Sequence, residues 1–215
     1  MPLLAWSEDV LELFSEYSDD TMARLWISHQ PIFLFPLFIF ARLSWTVQSI
    51  LYLVDGNIKA SASLLEAIGL AVHFIWQFVL PLRWLSPTRA LVFFALSQGL
   101  GGVLIALVFV LNHNGRPMFD TETVKAKCFY ELQILTGRDI DSNPLLDWIT
   151  GGLNYQIEHH LFPTLPRHNY HLVSPYVQAV CIKHRIHYHK TSFKQGLSEV
   201  LGRLREVASL ADKRS

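Results

Sequence analysis

Two apolar stretches, "ASLLEAIGLAVHFIWQFVLPLRWL" at 62–85 and "RALVFFALSQGLGGVLIALVFVLN" at 89–112, are separated only by Ser86, Pro87 and Thr88. Each exceeds the roughly 20 helical residues that cross a hydrocarbon core of about 30 Å. A link this short forces the chain straight back, so the pair reads as a transmembrane hairpin with both ends on one side. The composition agrees: 51% of residues are hydrophobic and the mean hydropathy is +0.26, too apolar for an ordinary soluble domain of 215 residues. A third stretch, 31–54, is equally long but carries Arg42 in its middle and is interrupted by Pro36. A central arginine is costly in hydrocarbon unless it snorkels or is paired. This segment therefore lies in the interface, the favoured reading, or spans with Arg42 turned into the bundle.

The formal net charge is zero, so no overall field points to nucleic acid. Two cysteines, Cys128 and Cys181, and no Asn-x-Ser/Thr acceptor give no sign of a disulfide-built or glycosylated exterior. Residues 1–30 are acid-rich and lack the basic-then-apolar order of a signal peptide, so they read as a cytosolic segment resembling the interior of a longer protein. Residues 31–112 form the membrane region. From 113 to 215 the chain is polar and holds most of the lysines and arginines, which by the positive-inside tendency faces the cytosol. Within it, Leu197, Val200, Leu201, Leu204 and Val207 recur at the spacing of one helix face, predicting a C-terminal amphipathic helix that packs on its neighbours. The fold class is all-α: a transmembrane hairpin, an interfacial or spanning helix, and a cytosolic helical cap.

That cap contains "NYQIEHHLFPTLPRHN" at 154–169. On a helix, positions i, i+3 and i+4 share a side, so Gln156, His159 and His160 present an amide and two imidazoles to one point. Imidazole is the commonest metal-binding side chain near neutral pH, and adjacent histidines pack poorly because each has two ring nitrogens to satisfy. The order Glu158-His159-His160 is not the H-E-x-x-H of zinc proteases. His113 directly follows the last apolar segment and emerges where the polar region begins, in the same compartment as His159 if the hairpin starts and ends in the cytosol. His73 falls inside an apolar segment and is expected to make a buried hydrogen bond. His29, His184, His187 and His189 lack ligand-like spacing, and "HRIHYH" reads as an exposed basic strand or loop.

"GGLNYQIEHHLFPTLPRHN" resembles the third histidine box, Q-x-x-H-H, of the front-end fatty acid desaturases, the membrane family of delta-5 and delta-6 acyl and sphingolipid desaturases. The likeness extends through Asp147 and Trp148, "LTGRDID" at 135–141, "FARLSW" and "PLLAWS", so nearly the whole chain resembles the C-terminal half of such an enzyme. The resemblance implies a di-iron centre, with His113, His159 and His160 among its ligands and Gln156 a weak ligand or one that orients a ligand. It implies a lipid acyl substrate, oxygen as oxidant, cytochrome b5 as electron donor, and residence in the endoplasmic reticulum membrane. The sequence departs from the family in having no H-P-G-G, H-x-x-x-H or H-x-x-H-H before residue 150. Two irons of near-octahedral preference need more donors than three histidines supply, so the chain is expected to be catalytically incomplete alone. Two other readings stand beside this one: a non-catalytic membrane protein that associates with a full-length desaturase, and a di-iron lipid hydroxylase, which Q-x-x-H-H disfavours.

Overall fold

The structure, a computed structural model, describes residues 4–7, 10, 20–55 and 60–213, so much of the acid-rich N-terminal segment lies outside the described residues. It divides into two compact units, one of residues 34–107 and one of residues 1–33 with 108–215. The elements are α1 (Asp20–Ser28), α2 (Gln30–Val54), α3 (Ala60–Phe74), a π turn (Ile75–Val79), α4 (Leu80–Trp84), α5 (Pro87–His113), α6 (Thr121–Ala126) and α7 (Phe129–Thr136). They continue with β1 (Asp139–Ile140), α8 (Pro144–Thr150), α9 (Gln156–Leu161), α10 (Tyr170–His184), β2 (Lys190–Thr191) and α11 (Phe193–Lys213). The chain is thus mainly helical. Its departure from an all-α fold is the two-residue parallel pairing of β1 with β2, Asp139 opposite Lys190 and Ile140 opposite Thr191.

Among the described residues three helical stretches, most of whose length falls in the unit of residues 34–107, are long and apolar enough to cross a membrane: Gln30–Val54, Leu64–Trp84 and Pro87–His113. Their apolar side chains are largely exposed, Leu65, Trp76, Trp84 and Leu91 among them, as helices solvated by lipid require. Pro36 does not interrupt α2, which runs unbroken for 25 residues. The length of α2 therefore allows it to span. Arg42 is half-buried and lines a groove of about 830 Å³ between α2 and α3, together with Gln48, Tyr52, Glu66 and His73. His73, expected to be enclosed, is likewise half-buried on that groove.

The hairpin is pinned from within. Pro81 has no amide hydrogen, and just before it the helix widens, the Leu80 amide donating to the Ile75 carbonyl five residues back. Gln77, in this π turn, is buried and donates through its amide to the Ser97 hydroxyl of α5. A polar side chain on an apolar helix is stabilising when it bonds across the interface in this way. At Gly102 a Cβ would lie 2.5 Å from the Phe38 carbonyl oxygen, so only glycine lets α2 and α5 approach this closely.

In the other unit, α11 presents the expected apolar face: Val200, Leu204 and Val207 are fully buried. Ala5, Ile27, Val207 and Ala211 form one core. Gln30 ties it together, accepting from the Ala5 amide at 2.9 Å and donating to the Leu204 carbonyl at 3.1 Å. A second core of Ile134, Ile157, Val177 and Cys181 joins α7, α9 and α10 and so seats the helix that carries the histidine pair. Cys128 and Cys181 are both free thiols. Truncating Leu204 to alanine removes a side chain with no exposed surface, so Leu204→Ala should cost about 2–5 kcal/mol. Arg205→Ala, on the exposed face, should change stability by less than about 0.5 kcal/mol. Denaturant unfolding in detergent micelles, followed by circular dichroism, measures both.

Candidate metal centre

The loop into α9 is built from the sequence around it. Asn143 caps α8 by accepting from the Leu146 amide at 2.9 Å, and Pro144 occupies the first turn, where its missing donor does no harm. Gly151 and Gly152 then take φ of 60° and 82°, left-handed conformations that end α8 and reverse the chain. Asn154, buried, donates to Asp147 at 2.7 Å and accepts from Thr150 at 2.8 Å, which fixes the entry to α9.

Gln156 and His160, one helical turn apart, converge with His113 from the end of α5. The Gln156 Nε2 lies 2.9 Å from His113 Nε2 and 2.7 Å from His160 Nε2. Its Oε1 accepts from Asn112 Nδ2 at 2.9 Å, and the same Asn112 group donates to the Leu153 carbonyl at 2.9 Å. With the carbonyl turned to Asn112, both amide hydrogens face the imidazoles, and the single lone pair of each Nε2 accepts one of them. The Nδ1 of His160 is bonded to Gln133 Oε1, an acceptor, so it carries the ring hydrogen. That is the tautomer that offers Nε2 to a cation.

His159 does not join this pair. Its Nδ1 is 3.0 Å from the Tyr170 hydroxyl, and its ring centroid stands 5.8 Å from that of His160, against 5.2 Å between His113 and His160. The i+3 position thus points to a neighbouring point on the same side. Among the described residues no group of three or more His, Cys, Asp or Glu side chains could by itself hold a metal. The donor chemistry fits part of an iron shell, two convergent neutral imidazoles with His159 alongside, and does not close one. His168, His171, His184 and His187 are exposed, and His29 bonds back to the Leu25 carbonyl.

Several residues of this corner escaped the reading from spacing. Beneath α9, Asp139 and Glu158 are buried with Tyr188, whose hydroxyl bonds to Asp139 Oδ2 and, at 2.8 Å, to Glu158 Oε1. Burial first, and the adjacent Glu158 second, push the Asp139 carboxyl well above its ordinary range. A proton held on Asp139 lets it donate to the Tyr188 oxygen while the Tyr188 hydrogen goes to Glu158. The Tyr188 phenol is itself pushed far up by burial and by these two acids. Glu158 Oε2 is buried without a hydrogen-bond partner among the described residues. "HRIHYH" is therefore not simply exposed: Tyr188 enters the core, and His189 pairs with Glu199 at 2.9 Å.

Comparison with known proteins gives this corner its context. The family model described as "Fatty acid desaturase" matches residues 10–192. This chain belongs to the fatty acid desaturase family. It is 39% identical to an acyl-lipid (9-3)-desaturase of Physcomitrium patens over 98% of this chain and 39% of the relative. It is 31% identical to a Delta(5) fatty acid desaturase of Caenorhabditis elegans over 99% of this chain and 49% of the relative. With a Delta(8)-fatty-acid desaturase of Euglena gracilis the identity is 35%, over 99% and 51%. These relatives are front-end desaturases, and with the three apolar helices they mark the chain as a membrane protein. The chain spans about 40–50% of the length of these relatives. No solved structure matches it.

Burial, and after it the charge of Arg167 for His159 and of His113 for His160, hold both imidazoles below the usual 6.5. The unfolded chain therefore binds more protons than the folded one as pH falls through 6.5, and folding stability falls with it until the folded groups titrate. In the metal-free chain, nuclear magnetic resonance should find both rings titrating below 6.5. His160→Gln should flatten the decline of the thermal midpoint below that pH.

Proposed function

We propose that this chain is the part of a front-end desaturase that carries the last histidine box, and that His113, His159 and His160 ligate its di-iron centre. The observation that carries the reading is the convergence of the His113 and His160 Nε2 atoms on the Gln156 amide, with the tautomer of His160 fixed by Gln133. Iron bound there supplies the oxygen activation that removing hydrogen from an unactivated methylene demands and that no side chain provides. In the metal-free chain Gln156 holds the two imidazoles together through its amide, which Asn112 orients, and the Nε2 lone pairs would pass from those amide hydrogens to a bound metal. Tyr170 sets the ring plane of His159. The further donors that two irons require come from outside these 215 residues.

The substrate is a lipid acyl chain, on coenzyme A, a phospholipid or a sphingolipid, and the electrons come from cytochrome b5. The relatives' names, covering Delta(5), Delta(6), Delta(8) and sphingolipid desaturases, support a lipid acyl substrate without choosing among these. Chain length and double-bond position follow from the shape of a tunnel rather than from the ligands. Residues 31–112 form the membrane region of an endoplasmic reticulum protein, and 113–215 form the cytosolic cap.

Groups that bind one metal cannot be separated by a bilayer. Cysteines placed at Asn114 and Thr150 should both be labelled from the cytosol in intact microsomes, and one at Ser86 should not; labelling of only one of the first two contradicts a shared site. In a protein completed with the two upstream boxes, His159→Ala or His160→Ala should abolish desaturation at nearly unchanged protein level, whereas His187→Ala should be mild. Equal damage from His187→Ala would overturn the ligand assignment. The 215-residue chain expressed alone should hold well under one iron and form no new double bond when supplied with cytochrome b5 and its reductase. Two tightly held irons, or a new unsaturated product in a host without front-end desaturases, would refute its incompleteness.

A further inference from the structure

We infer that the consecutive residues Arg138 and Asp139 are a positioning pair that sets the register between His113 at the end of α5 and the His160 turn of α9. The functional consequence rests on the ligand reading above; the geometry does not. Arg138 immediately precedes β1 and Asp139 opens it, and their side chains bond to the two different histidine-bearing segments.

Arg138 is fully buried. Its Nη1 donates to the carbonyls of Leu111 at 2.6 Å and Asn114 at 3.1 Å, which flank His113 in sequence and lie where a helix end leaves carbonyls without intrahelical partners. Its Nη2 donates to Glu199 Oε2 of α11 at 2.7 Å. A planar guanidinium that reaches three acceptors leaves that helix end little freedom to slide or rotate, and its charge suits a helix C-terminus. Asp139, almost wholly buried, turns the other way. Its Oδ1 accepts from the Ile157 amide at 2.9 Å, in the first turn of α9, where Tyr155 offers no side-chain cap of its own. Its Oδ2 is held by Tyr188.

The strand between these contacts is fixed. The Asp139 amide donates to the His189 carbonyl at 3.0 Å, the Asp141 amide to Thr191 at 2.9 Å, and the Ile140 amide to Asn154 at 2.9 Å, two residues before Gln156. Gly137 precedes the pair where a Cβ would lie 2.9 Å from the Gln133 carbonyl and 3.0 Å from Ile157, so the strand passes directly against α7 and α9. Apolar contact alone is non-directional and permits sliding. Directed bonds from adjacent residues to two backbones do not.

The test uses the 215-residue chain in detergent micelles, titrated with cobalt(II) alone and followed by its visible absorption, with hydrogen exchange measured by mass spectrometry on the same samples. Binding that is lost in His160→Ala defines the site; without such binding, an outcome that a shell left open by missing donors also gives, the pair is judged by exchange alone. Arg138→Met should weaken cobalt at least tenfold while the interiors of α5 and α9 keep their protection. In a His113→Ala background it should weaken it no further, which a general loss of stability would not reproduce. Asp139→Leu should weaken cobalt at least tenfold and speed exchange of the Ile157 amide. Asp139→Asn, which still accepts from Ile157 and can donate to Tyr188, should stay within threefold and restore slow exchange. If Arg138→Met unfolds the chain, Arg138→Lys should give an intermediate affinity. The pair has no positioning role if Arg138→Met or Arg138→Lys binds like the parent, if Arg138→Met costs as much without His113 as with it, or if Ile157 exchange ignores Asp139→Leu.

Discussion

The carboxamide of Gln156 directs both of its N–H groups to imidazole Nε2 atoms, at 2.9 Å and 2.7 Å, and its oxygen to Asn112. Each of the four side chains constrains the next: Asn112 fixes the amide, the amide fixes which nitrogen of each ring bears a lone pair, and the rings fix how the end of α5 meets the start of α9. Two cationic donors here would repel each other and would each have to be stripped of water. A neutral amide with separate donor and acceptor ends satisfies the buried groups without net charge.

Such a corner is costly to assemble, since each polar group taken from water must find a partner. The surrounding core meets this by stacking polar pairs beneath the histidines: Gln133 against His160, Tyr170 against His159, and Tyr188 against Asp139 and Glu158. Apolar packing of Ile134, Ile157, Val177 and Cys181 supplies the rigid platform. The result resembles the layered support of metal sites in general, in which ligands are oriented by partners that never touch the ion.

The parts of this arrangement that are local were legible from the amino-acid order. The apolar hairpin, the buried face of α11 and the one-turn spacing of Gln156 and His160 all follow from periodicity within a segment. Pro36 suggested a break that α2 does not show, because one missing hydrogen bond near the start of a long apolar helix is outweighed by the bonds on either side. His159 was grouped with His160 by spacing, yet the Tyr170 hydroxyl draws it to a separate point. Asn112, Gln133, Arg138, Asp139 and Tyr188 act across separations of many residues, up to 61 for Arg138 and Glu199, and no periodic pattern marks them. The one sequence hint was that "LTGRDID" belongs to the stretches that carry the family resemblance.

The central claim is that the His113 and His160 Nε2 atoms are unprotonated and are held together by accepting from the Gln156 amide. Two-bond proton–nitrogen correlation spectra of the metal-free chain, labelled with nitrogen-15 histidine, read the tautomer of each ring directly. The account predicts the Nδ1–H form for His160, with Nε2 of His160 and of His113 unprotonated near neutral pH, and a loss of that uniform tautomer in Gln156→Leu. An Nε2–H form of His160, or tautomers indifferent to Gln156→Leu, would contradict it.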